Sequence, residues 1–353
     1  MAGIDQRSRD KISNPAQLGG IETSVLDNGP GRGNRIAWVN TGAGLRYKVV
    51  LDRGMDIAEA FYQQHSLAWL SHGGITTPQP FSNRGLGWLR TFGGGLLTTC
   101  GLTHVGGPES DEWGERGLHD TFSNTPAELE CITQPDPFTG QLVMSVRGRI
   151  RQSQALGTRL ELSRTLSSTL GKASLRLRDE IVNRGNTTAP HMLLYHINLG
   201  WPLIDEGTRL LWRGSWEAGS DHPQLFRPEH DFRTCPAPLD AHAGAGEEVA
   251  FINLEADDAG QCQCGVYNET LGLALVIRFY KQQLPWLTNW QHWGKGEYVT
   301  GLEPGTHPPM GQAQARATRQ LIWLEPGERR VYELEIEVLT DPQALETLFM
   351  PYH

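Results

Sequence analysis

Apolar and polar side chains alternate through Leu142-Val143-Met144-Ser145-Val146-Arg147, Arg159-Leu160-Glu161-Leu162-Ser163-Arg164, Ser174-Leu175-Arg176-Leu177-Arg178-Asp179 and Tyr332-Glu333-Leu334-Glu335-Ile336-Glu337-Val338. A period of two sends successive side chains to opposite faces, so each stretch predicts a half-buried antiparallel strand with one charged face. Leu193-Leu194-Tyr195-His196-Ile197-Asn198-Leu199-Gly200-Trp201-Pro202 is almost wholly apolar and predicts a strand buried on both faces. Turn signals separate such stretches at Asn183-Arg184-Gly185-Asn186, at Pro326-Gly327-Glu328 and between Asp27 and Asn34. Helical periodicity is nearly absent. The best candidate is Pro342 to Leu348, with Asp341 placed as an N-cap and proline at the first helical position. Forty-one glycines and many short strands predict an all-β protein, a large sandwich of two curved antiparallel sheets. No linker, repeat or low-complexity block interrupts residues 1–353, which predicts a single domain.

Charge and cysteine usage narrow the partners. A net charge of -9 without a basic run argues against nucleic acid and anionic membrane surfaces. Met1 to Asn14 has no apolar core of signal-peptide length, and no apolar run is long enough to span a bilayer, so a soluble protein is expected, and the sparse cysteines point to a reducing cytoplasm. Five cysteines make an odd, sparse count, against a disulfide framework. Cys262-x-Cys264 lacks zinc-knuckle spacing and predicts two thiols on one strand face.

His196 is the one imidazole of the apolar strand, and Glu303 places a carboxylate in the same way in Val299-Thr300-Gly301-Leu302-Glu303-Pro304-Gly305. His119 adds a second imidazole within Gly117-Leu118-His119-Asp120, which could equally be a hydrogen-bonded loop. Two histidines and a glutamate suit proton transfer on a sugar hemiacetal, where the anomeric hydroxyl loses a proton while the ring oxygen gains one. Leu-Glu-Pro-Gly recurs at 324–327, where Glu328, Arg329 and Arg330 follow and a plain surface turn is expected. What distinguishes Glu303 is the preceding Trp286, Trp290 and Trp293 with Gln291, since sugars are bound by aromatic faces and side-chain amides. Arg53 and Asp56 predict a strand-end ion pair that orders the site. The glycines at 93–95 lack the lysine and helix of a phosphate loop and predict close backbone approach. Two other classes stay open: a metal-dependent sugar isomerase or lyase using His72, His104, His119 and His196, and a carbohydrate-binding module without catalysis.

The order of these motifs resembles the galactose mutarotase (aldose 1-epimerase) superfamily, over nearly the whole chain. The closer likeness is to a mutarotase-like branch of unknown function, carried by Asp52-Arg53-Gly54-Met55-Asp56-Ile57, by Phe92 to Leu102 and by Gly296 to Pro304. The resemblance implies a β-supersandwich with Glu303 as general base, His196 as general acid and His119 against the sugar ring. Arg90 matches the family's substrate-binding arginine by order, and Arg53, Asp56, His104, Trp290 and Gln291 complete the expected substrate-binding set. It implies a small-molecule sugar substrate, no cofactor and no bound metal, with a homodimer as the assembly to test. The family's substrate-gripping aspartate has no clear counterpart; Asp221 and Asp231 are the candidates. Arg53, Arg90, Arg278 and Lys295 leave room for an anionic substituent. Proximity of Glu303 to His196 would favour their charged forms, carboxylate and imidazolium, with the reverse pairing serving the opposite direction.

Overall fold

The computed structural model describes residues 10–79 and 84–347. The alternating stretches form the strands Val143–Ser153, Arg159–Thr169, Ser174–Asn183 and Arg329–Leu339, neighbours in one eight-stranded antiparallel sheet. Their register explains the alternation. Leu177 lies opposite Leu334 on the inner face, while Arg176 faces Glu335 and Arg178 faces Glu333 on the outer face. Arg164 and Asp179 share the inner parity with Leu162 and Leu177, and they lie opposite each other as a fully buried ion pair 2.7 Å apart.

The all-apolar stretch becomes the strand Ala189–Gly200 in a second sheet of seven strands. There it pairs with Glu297–Gly305 on one side and with Thr98–Leu102 on the other, which covers both its edges. A third sheet of five strands, Gly20–Val25 through His65–Ser66, is a meander that the expected two-sheet sandwich did not include. One hydrophobic cluster joins the three, running from Ile21 and Val39 through Leu162 and Leu193 to Val338.

Pro342–Thr347 is helical, and Asp341 Oδ1 accepts from Gln343 N at 2.8 Å as an N-cap. A second short helix, Gln312–Ala317, has no counterpart in the sequence pattern, because six residues are too few to show a 3.6 period. Cys262 and Cys264 lie buried on one face of Gln261–Asn268, and the five cysteines are free. Among the described residues no helix is long and apolar enough to cross a membrane.

Candidate functional site

The pairing of Leu194 with Gly305 and Ile197 with Leu302 sets His196 opposite Glu303 on adjacent strands. Across the next strand, Trp286–Gly294, Thr288 lies opposite Glu303 and Trp290 opposite Gly301. Three strands thus present His196, Glu303, Thr288 and Trp290 to one cleft of about 870 Å³. His196 Nε2 lies 3.2 Å from Glu303 Oε1, with side-chain exposures of 8% and 3%. The contact lacks hydrogen-bond alignment, and His196 Nδ1 and Glu303 Oε1 have no hydrogen-bond partner among the described residues. Gly301 makes the room: a Cβ there would stand 2.2 Å from Glu303 Oε1.

Burial decides the charges. It pushes the Glu303 carboxyl well above its ordinary value, and Glu247 adds to the effect. It also lowers the His196 imidazole to about 4, although the Asn198 side chain opposes the shift. Both shifts run towards the neutral forms, against the expected carboxylate and imidazolium, and favour a carboxylic acid beside a neutral imidazole. The pair still holds one proton.

His119 sits in the same cleft, its ring 6.1 Å from that of His196 and edge-on to Trp88 at 4.8 Å. Its backbone adopts φ 55°, and its Nδ1 accepts from Gly106 N at 3.3 Å, which leaves the ring proton on Nε2. Burial, His196 and His104 hold its pKa well below the usual imidazole range, so His119 is a neutral N–H donor. Its loop is also hydrogen-bonded, with His119 N donating to Gly106 O, as the loop reading expects.

Aromatic rings wall the cleft. Phe92 and Trp290 lie 5.2 and 5.3 Å from the His196 ring, Trp88 stacks on Phe92, and Trp69 closes against Trp290 and Phe92. Gly94, at φ 69°, lets this wall form, since a Cβ there would stand 2.5 Å from Trp69 O. Trp290 Nε1 donates to Glu247 Oε2 at 2.7 Å. Arg90 and His72 line the cleft and are exposed.

Several expected site residues lie elsewhere. Arg53 is buried and donates to the carbonyls of Ser123, Thr76 and Thr91, so it ties loops together and takes no position in the cleft. Asp56 does not form the expected ion pair with Arg53; it accepts from Arg164 at 2.9 Å and from Thr99, because the buried Arg164 needs a second carboxylate. His104 is fully buried, with Nε2 bonded to Gly107 O and Nδ1 accepting from Gln312 N. Gln291 turns away from Trp290 by strand alternation and bonds Phe232 O, Asn289 and Trp293 inside the sheet. Trp293 follows it into the core, and Trp286 does not reach the cleft. Arg278 pairs with Glu337 and Lys295 with Asp240, which leaves Arg90 as the cleft's arginine among the four cationic candidates. Asp221 and Asp231 are also outside it. Among the described residues no group of three or more His, Cys, Asp or Glu side chains could hold a metal ion, so the four histidines of the metal reading are not gathered as ligands.

The sequence reading missed Trp69, Trp88, Phe92, Thr288, Glu247 and His292, all of which line the cleft. Parity along the strand that carries Trp290 would have marked Thr288 and His292. Trp69, Trp88, Phe92 and Glu247 come from connections whose position the pattern does not specify.

Three large antiparallel sheets with an aromatic cleft across the seven-stranded one define a galactose mutarotase-like β-sandwich. The chain belongs to the family described as Domain of unknown function (DUF4432), which matches residues 31–338. A crystal structure from Klebsiella pneumoniae, described as a "putative aldose 1-epimerase", superposes with a TM-score of 0.82 at 24% identity, covering 97% of this chain and 88% of that one. A galactose mutarotase-like protein from Clostridium acetobutylicum matches with a TM-score of 0.64 at 12% identity, over 92% and 99% of the two chains. A galactose 1-epimerase from Lactobacillus acidophilus matches with a TM-score of 0.56 at 13% identity, over 90% and 98%. At these identities the likeness is one of fold. None of the curated proteins matches the chain.

Proposed function

We propose that this protein is a mutarotase, an isomerase of the aldose 1-epimerase kind that interconverts the anomers of a free sugar through Glu303 and His196. The observation that carries this reading is the 3.2 Å approach of a carboxyl and an imidazole inside an aromatic cleft. The anomeric hydroxyl and the ring oxygen of a cyclic sugar are bonded to one carbon, so adjacent acid and base atoms can address both. With the pair holding one proton, Glu303 protonates one oxygen while His196 accepts from the other, and the C1–ring oxygen bond opens to the free aldehyde. Rotation about C1–C2 followed by reverse transfer closes the other anomer. His119 Nε2–H steadies a sugar oxygen, while Trp290 and Phe92 cover the apolar ring face. Every step moves protons held by side chains, and the chemistry calls for no cofactor.

We read residues 1–353 as one domain because the hydrophobic cluster is continuous from Ile21 to Val338. We place the protein in the cytoplasm on its free cysteines. The test is anomer exchange followed by NMR across a panel of reducing hexoses, pentoses and their derivatives. Exchange faster than the uncatalysed rate for at least one sugar is expected. No acceleration for any of them overturns the reading.

A further inference from the structure

We infer that a second sugar-binding subsite lies beside the catalytic cleft, and that the substrates extend to neutral oligosaccharides of two to about three rings with a free reducing end. This rests on the mutarotase reading above. A hollow of about 510 Å³ is lined by Trp201, Leu70, Tyr298, Asp205 and Glu206, and Trp69 lines both this hollow and the cleft. Trp201 is 68% exposed and Leu70 42% exposed, although the strand that leads into Trp201 is buried along its length. The two openings also meet at one turn, where Gly296 borders the hollow and Glu297 the cleft.

The boundary between them is firmly built. Trp69 N donates to Asn198 O at 3.1 Å, and Gly200 has no side chain where a Cβ would stand 2.7 Å from Trp69 Cα. Trp69 is therefore held on the strand that runs from His196 towards Trp201. At about 3.3 Å per residue, the five steps from His196 to Trp201 span at most roughly 17 Å, which caps the bridging ligand at about three pyranose rings.

The lining selects the ligand class. An exposed indole offers a face to the C–H side of a pyranose, and exposed carboxylates accept hydroxyl groups. Asp205 and Glu206 are both exposed, and among the described residues no Lys or Arg lines the hollow, so a phosphorylated or acidic glycan would be repelled. Among the described residues the cleft adds Glu247 and Glu297 against one arginine, Arg90. A neutral glycan, its reducing end at Glu303 and a later ring on Trp201, fits both.

Binding of glucose, galactose, lactose, cellobiose, maltotriose and cellotriose to the full chain, followed by saturation-transfer NMR and calorimetry, tests this. At least one trisaccharide should bind tenfold or more tightly than its monosaccharide unit. Trp201→Ala should abolish that difference, and Trp201→Phe should retain most of it; the exposure of Trp201 makes either change compatible with the fold. Equal affinity for the two lengths, or a length preference that survives Trp201→Ala, overturns the subsite. A dimer that Trp201→Ala converts to monomer in sedimentation velocity also overturns it, since the face would then be an interface between copies. Accelerated exchange of monosaccharides with length-independent binding removes the subsite alone. Trp201-dependent trisaccharide binding without exchange of any sugar removes the catalytic reading alone.

Discussion

His196 Nε2 and Glu303 Oε1 stand 3.2 Å apart across two paired strands, yet burial pushes both groups towards their neutral forms. Taking two opposite charges out of water costs more than their attraction returns unless other hydrogen bonds support them, and His196 Nδ1 and Glu303 Oε1 have no such support among the described residues. The unliganded pair is thus a proton reservoir with one proton and two places for it.

Removing either place should stop the exchange. Glu303→Gln and His196→Gln are each expected to lower kcat by roughly 10²- to 10⁴-fold. The double variant should be little worse than the poorer single one, because the two groups act as a unit. NMR exchange rates on the three proteins check this; multiplicative losses would show that the groups act separately.

The pH profile should be bell-shaped, with its limbs assigned opposite to the ion-pair expectation. On the acid side His196 takes up a second proton near about pH 4 and the pair loses its base. On the alkaline side Glu303, raised well above the usual carboxyl range, ionises and the pair loses its acid. Residual activity of His196→Gln should lack the acid limb, and that of Glu303→Gln the alkaline one. Exchanged limbs would restore the carboxylate–imidazolium form.

Stability should carry the same signature. Above the unfolded carboxyl value of 4.5 the unfolded chain ionises Glu303 while the folded protein keeps it protonated, so this group lowers stability as pH rises towards the folded value. Glu303→Gln should therefore melt at a higher temperature than the parent at pH 7, by a margin that shrinks to near zero below pH 4. For His196, between about pH 4 and pH 6.5 only the unfolded chain holds the extra proton, so stability rises with pH across that window. Thermal melts at several pH values read both, and a Glu303→Gln protein less stable at pH 7 would contradict the buried neutral carboxyl.

Gly301→Ala should keep the fold and lose turnover. The added methyl would stand 2.2 Å from Glu303 Oε1, the end of a flexible side chain, so the carboxyl swings aside more readily than the backbone. A fall in kcat of tenfold or more with a far-ultraviolet spectrum like the parent's is expected, together with a displaced alkaline limb. An unchanged kcat would show that the carboxyl position is not critical.

Two arginines separate structure from binding. Arg53→Met removes the buried hydrogen bonds that tie Thr76, Thr91 and Ser123, and should lower stability by about 2 kcal/mol or more. Arg90→Ala, at an exposed position, should leave stability within about 0.5 kcal/mol and raise KM. Chemical denaturation and saturation kinetics on both variants decide the matter.

Strand periodicity by itself determined four strands of the eight-stranded sheet, because the period-two pattern is local and survives any choice of partner. The two buried strands that carry His196 and Glu303 were likewise legible in the chain, as were the capped helix at Pro342 and the surface turn at 324–327. Tertiary structure decided what those groups meet. Ala189–Gly200 and Glu297–Gly305 become neighbours across more than a hundred residues, and only their register brings His196 to Glu303. The same nonlocal pairing sends Asp56 to Arg164 and leaves Arg53 to the loops, although Arg53 and Asp56 are close in sequence. Gln291 shows where a local rule sufficed but was outweighed by composition, since alternation alone turns it away from Trp290. Protonation was the least legible property. Charge type belongs to the residue, but the energy of holding that charge depends on how much water the assembled sheets exclude.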